Sequence, residues 1–74
     1  MLMNEYDRMI SDYRERVDIS IDNVQDNYKD GNIEYCIRVL NMMIKIGQHI
    51  GDFETVEYLK EVLLVVIDNE SEQV

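Results

Sequence analysis

The stretch VQDNYKDGNIEYCI, Val24 to Ile37, sets carboxylates and amides two to four residues apart ahead of a glycine, with an isoleucine two residues beyond it. That is the outline of a calcium loop. Counted from Asp26, such a loop takes ligands at Asp26, Tyr28 and Asp30, a glycine at Gly31, an apolar residue at Ile33 and a bidentate glutamate at the position held here by Ile37. A neutral phenol is a poor calcium ligand and an alkyl chain carries no oxygen at all, so no metal is expected and the stretch reads as a corner between two helices. Asp18, Asp22, Asp26 and Asp30 stand four apart, an acidic ladder on one side of a helix, where adjacent like charges cost about 0.2–0.5 kcal/mol each. Two readings of the ladder stay open: a solvated face that keeps the protein soluble, or a docking surface for a basic partner. A dinuclear carboxylate centre would need a Glu-x-x-His pair, and the chain has none. His49, the single histidine, falls near a helix end where a cation suits the dipole, and Cys36, the single cysteine, falls on an apolar face. No nucleophile, base or cofactor motif emerges, so catalytic residues and cofactors are expected to be none and the chain reads as non-enzymatic.

The elements that carry these residues follow from periodicity. Proline is absent and glycine occurs only at 31, 47 and 51, which disfavours folds of many strands and makes helices the default. Tyr6, Ile10, Tyr13, Val17, Ile21, Val24 and Tyr28 recur at spacings of three and four and share one helical face. VDISID at 17–22 alternates with period two instead, and Ser20 marks a point where this first helix could break. From Ile33 to Ile50 the polar residues Glu34, Arg38, Asn41, Lys45 and Gln48 form only a narrow stripe, so this helix is central and packed on two sides. Val56, Leu59, Leu63 and Val66 give a third helix its inward face, and the run VLLVVI at 62–67 offers more apolar surface than two short neighbours cover.

Two corners share a pattern. GNIEYC at 31–36 and GDFETV at 51–56 each place glycine, then Asn or Asp, then a large apolar residue, then Glu. Gly31 and Gly51 can end a helix in the left-handed conformation, Asn32 and Asp52 can accept from free N–H groups of the next helix, and Glu34 and Glu54 suit its dipole. Turns this tight make consecutive helices antiparallel. The stretch YKDGNIEYCIRVLNMMI resembles the turn and second helix of a tetratricopeptide-type repeat, with Cys36 and Met43 at its small-residue positions and Leu40 at its aromatic one. The resemblance implies helical-hairpin chemistry only: the internal spacing is 20 residues rather than about 34.

The expected fold is therefore all-α, a single antiparallel three-helix bundle with helices near 3–30, 33–50 and 53–68 and a frayed acidic tail at 69–74. A chain of 74 residues buries only about 60% of the surface its unfolded form exposes, which makes oligomerisation a natural supplement. The first helix, roughly 33 Å from Tyr6 to Tyr28, outruns later helices of roughly 25 Å, so Tyr6, Met9, Ile10 and Tyr13 are expected to overhang. With Leu64, Val65 and Ile67 they are the candidate interface of a homodimer. The net charge is −9; residues 1–31 hold eight acidic and four basic side chains, 32–51 one and two, and 52–74 seven and one. That balance argues against direct binding to nucleic acid or anionic membranes. Met1-Leu2-Met3 leads into Asn4, Glu5 and Asp7 without a basic start or apolar core, and a cytoplasmic location is expected. The functional expectation is a small protein-binding regulator, inhibitor or adaptor, compatible with a phage or mobile-element origin. The alternative is a nucleic-acid mimic or antitoxin-like inhibitor whose acidic ladder, Asp18 to Asp30, covers a basic surface.

Overall fold

A computed structural model describes residues 4–72, with side chains described through Asn69. Three helices, α1 (Glu5–Lys29), α2 (Ile33–Ile50) and α3 (Phe53–Glu72), pack against one another, and the described residues contain no strand. α2 packs on both α1 and α3.

α1 starts where the Asn4 side chain accepts a 2.7 Å bond from the Asp7 N–H, with Glu5 and Asp7 placed at the positive end of the helix dipole. It runs unbroken through Ser20 and through the alternating 17–22 segment. A lone strand would leave its backbone groups unpaired, whereas the helix satisfies them within the segment. At its C-terminus Gly31 adopts φ 84°, Gly31 N–H donates to the Tyr28 carbonyl and Asn32 N–H to the Asn27 carbonyl, which together close a Schellman motif. The second corner repeats the device: Gly51 has φ 85° and Asp52 N–H donates to the Gly47 carbonyl at 3.0 Å.

The corners differ at the next residue. Asp52 caps α3 with its side chain, but Asn32 makes no side-chain bond to α2, and its amide nitrogen instead donates to Asn27 Oδ1 at 3.0 Å. The expected cap at Asn32 is therefore absent. α3 also continues to Glu72, past the expected end near 68, so residues 69–72 are helical rather than a frayed tail. No glycine or proline follows Gly51 to stop it, and Asn69 Nδ2 donates to the Tyr28 hydroxyl, which anchors that turn. Residues 73 and 74 of the expected tail lie outside the described residues.

The core is the seam along α2. Tyr13, Val17 and Val24 of α1 meet Cys36, Leu40, Met43 and Ile44, and Val56, Leu59 and Val66 enter from α3. The expected overhang of the tyrosine stripe does not occur. Tyr13 is 5% exposed with its hydroxyl on the Met43 carbonyl at 2.7 Å, and the Tyr6 hydroxyl reaches the Ile50 carbonyl at 2.9 Å. Their length carries these phenols across to the C-terminal half of α2, where the buried Tyr13 hydroxyl and the exposed Tyr6 hydroxyl both find backbone acceptors.

Gly47 makes that reach feasible. A Cβ there would collide with the Tyr13 hydroxyl and stand 2.6 Å from Val56 Cγ2. Gly47→Ala should therefore destabilise the protein: overpacking costs about 1–3 kcal/mol, against a helix-propensity gain of about 1 kcal/mol. Urea unfolding should show a lower midpoint for Gly47→Ala and partial recovery in the Tyr13→Phe/Gly47→Ala double variant, which removes the colliding oxygen.

Candidate functional site

α3 begins beside Arg14, and the contact is the most extensively hydrogen-bonded side-chain cluster among the described residues. Arg14 Nε and Nη2 donate to the two oxygens of Asp52 at 2.9 and 3.0 Å, and the Thr55 hydroxyl donates to Oδ2 at 2.7 Å. The Thr55 backbone N–H adds a longer 3.4 Å bond to Oδ1. Asp52 is 5% exposed, and the Arg14 bonds hold its carboxyl down at about 2 in spite of that burial. A carboxylate so stabilised and so fully bonded is a poor proton acceptor, and its chemistry is that of a cap and a tie. Burial, with the Asp52 charge second, raises the neighbouring Tyr13 phenol. No local spacing rule links Arg14 to Asp52, 38 residues apart, so the sequence gives no sign of this pair.

The residues singled out from the sequence separate into three places. The ladder is exposed along its length at Asp18, Asp22, Asp26 and Asp30, the last being the C-cap of α1. Asp26 and Tyr28 sit inside α1, and Tyr28 and Ile37 pack against the core, so the calcium-like stretch is not arranged as a loop with converging oxygens. Cys36 is fully buried with its thiol on the Val24 carbonyl at 3.3 Å, and burial raises its pKa, which favours the unreactive thiol. His49 is exposed in the last turn of α2.

Of the seven candidate interface residues, Tyr13 is withdrawn into the core and Ile10 is half-buried. Tyr6, Met9, Leu64, Val65 and Ile67 are exposed, Leu64 and Val65 at 60% and 59%. Val65 borders an open groove of about 400 Å³ between α1 and α3, floored by Val24, Val62 and Val66 and edged by Lys29 and Asn69. The sequence reading missed a further exposed set, Tyr35, Met42 and Ile46 on α2. Their spacing of seven and four residues was the available signal.

Comparison with known proteins finds no matching family model, curated protein or solved structure. No helix among the described residues is long and apolar enough to cross a membrane.

The Asp52 cluster has a definite pH signature. A carboxyl at about 2 when folded, against about 3.9 when unfolded, stabilises the fold fully above pH 4 and loses that contribution as pH falls through 2. Wild-type unfolding midpoints in urea should therefore drop between pH 4 and pH 2. Asp52→Asn should be less stable at pH 7 by about 1–2 kcal/mol, through loss of charge-assisted bonds, and should show a shallower acid dependence.

Proposed function

We propose that this protein is a small non-enzymatic binding protein, a regulator, inhibitor or adaptor, that works as a homo-oligomer by occupying a surface on another protein. The observation that carries this reading is the amount of large apolar side chain left in water on a chain with so strong a charge. Leu64 and Val65 on α3, Met42 and Ile46 on α2 and Met9 on α1 are all more than two-fifths exposed. Scattered single residues of this kind are ordinary, but sets on one helical face mark contact sites.

The helices are proposed to be antiparallel in sequence order. The bonds Tyr6 to Ile50, Tyr13 to Met43 and Cys36 to Val24 support this, since their sequence separation shrinks toward the Gly31 corner. The target is proposed to engage the α1–α3 groove and the outer side of α3, through Leu64 and Val65, with Glu61 and Asp68 at the edge. Such an interface derives its strength from an apolar centre within a polar rim.

The acidic ladder supports a second reading, a mimic of a phosphate row that covers a basic surface, because its four carboxylates all stand in solvent. The two readings part on salt and on mutation. Target capture by the tagged protein, quantified by binding isotherms at low and physiological salt, should change little with salt and be lost in Leu64→Glu. Binding that collapses with salt and disappears when Asp18, Asp22, Asp26 and Asp30 are changed to asparagine, while tolerating Leu64→Glu, would replace the first reading with the second.

A further inference from the structure

α2 carries more apolar surface than its own chain covers. Cys36, Leu40, Met43, Ile44 and Gly47 are buried against its two neighbours. A separate stripe, Tyr35, Val39, Met42, Ile46 and Ile50, repeats at spacings of 4, 3, 4 and 4, which keeps it on one side of the helix. Tyr35, Met42 and Ile46 in that stripe are 43%, 51% and 41% exposed. Ile46 and Ile50 join Met9 and Tyr13 of α1 to floor an open groove of about 390 Å³. Its edges carry Glu5 and Asp12 together with Arg8 and Arg16.

We propose that this groove and the adjoining α2 stripe are the face on which a second copy of the chain docks, related by a two-fold axis. The proposal rests on the homo-oligomeric reading above and names its surface.

Charge selects the occupant. Each copy bears −9, so two copies can approach closely only where the local charge is balanced. The ladder face of α1 is acidic, and the outer side of α3 sets Glu57, Glu61 and Asp68 against Lys60 alone. The α1–α2 groove is locally neutral and carries both signs, two cations and two carboxylates, whereas the α1–α3 groove has Lys29 alone and no carboxylate for a second copy to pair with. Lys60, Arg38 and Arg14 have carboxylate partners in their own chain, whereas Arg8 and Arg16, like Lys29 and Lys45, form no ion pair among the described residues. A two-fold axis makes each contact reciprocal, so the arginines of one copy can face Glu5 and Asp12 of the other while the methionines and Ile46 close over each other. A basic target would meet Arg8 and Arg16 as like charges, and a strongly acidic one would be repelled by the rest of the molecule.

Sedimentation equilibrium of the full chain at micromolar concentration should give twice the 8.8 kDa chain mass. Raising salt from about 0.01 M to about 0.15 M shortens the screening length from about 30 Å to about 8 Å, and the dimer should tighten as the repulsion between acidic copies is screened. Ile46→Glu and Met42→Glu, at exposed positions, should sediment as monomers with unchanged helical circular dichroism, and Leu64→Glu should remain dimeric. On the unmodified chain, Met9 and Met42 should lose reactivity toward hydroxyl radicals as concentration rises while Tyr58 does not, a readout independent of whether any variant folds. A wild-type monomer overturns both this proposal and the oligomeric reading. A dimer that survives Ile46→Glu, keeps Met9 and Met42 reactive or dissociates with Leu64→Glu leaves the oligomer standing and overturns this face.

Discussion

The carboxylate of Asp52 is the constraint on which the arrangement of α3 depends. It ends the turn after Gly51, accepts from the first turn of α3 through Thr55 and takes both of its Arg14 bonds from α1. One side chain thus fixes where α3 begins and which part of α1 it begins beside. At the far end Asn69 and Tyr28 provide a second polar tie between the same two helices. Beside that second tie, α1 and α3 share an open groove lined by Val24, Tyr28, Val62, Val65 and Val66. A half-exposed arginine lowers the desolvation cost of such a pair, because only the carboxylate has left water.

The placement of α3 also explains the uneven exposure of α1. Because α3 starts beside Arg14, the first turns of α1 have α2 as their main neighbour, and Met9 is left 45% exposed. From Val17 to Val24 the helix lies in the shared core, and beyond it Tyr28 leans on α3. The molecule is accordingly elongated, 51 Å along its principal axis and 19 by 15 Å across. An elongated body of this size presents much of its apolar inventory at the surface, as the scaling of area with mass demands.

What could be read in advance was local. Gly31 and Gly51 mark the corners because a positive φ is cheap only for glycine, and the narrow polar stripe of α2 marks the central helix. The acidic residues after 68 read as a frayed tail, yet no glycine or proline follows Gly51 and α3 runs on to Glu72. The burial of Tyr13 is not legible from helix lengths, which predict an overhang, because they ignore how far a phenol reaches and because it depends on Gly47, 34 residues away. The Arg14–Asp52 pair joins residues with no shared period. The exposed stripe of α2 is the opposite case: its spacing is fully visible, but spacing alone does not say which apolar positions the two neighbouring helices leave uncovered.

The single thiol gives the core an internal clock. Cys36 has no exposed surface, and its sulfur rests on a carbonyl of α1, so a reagent can reach it only when α1 lifts from α2 or the whole chain opens. Where reclosing outpaces reaction, the rate at which a reagent modifies Cys36, divided by the rate for an unfolded thiol, therefore measures the opening equilibrium of that seam. Because the chain has no second cysteine, this signal would come from one location, and ligands of either surface could be ranked by how far they slow it.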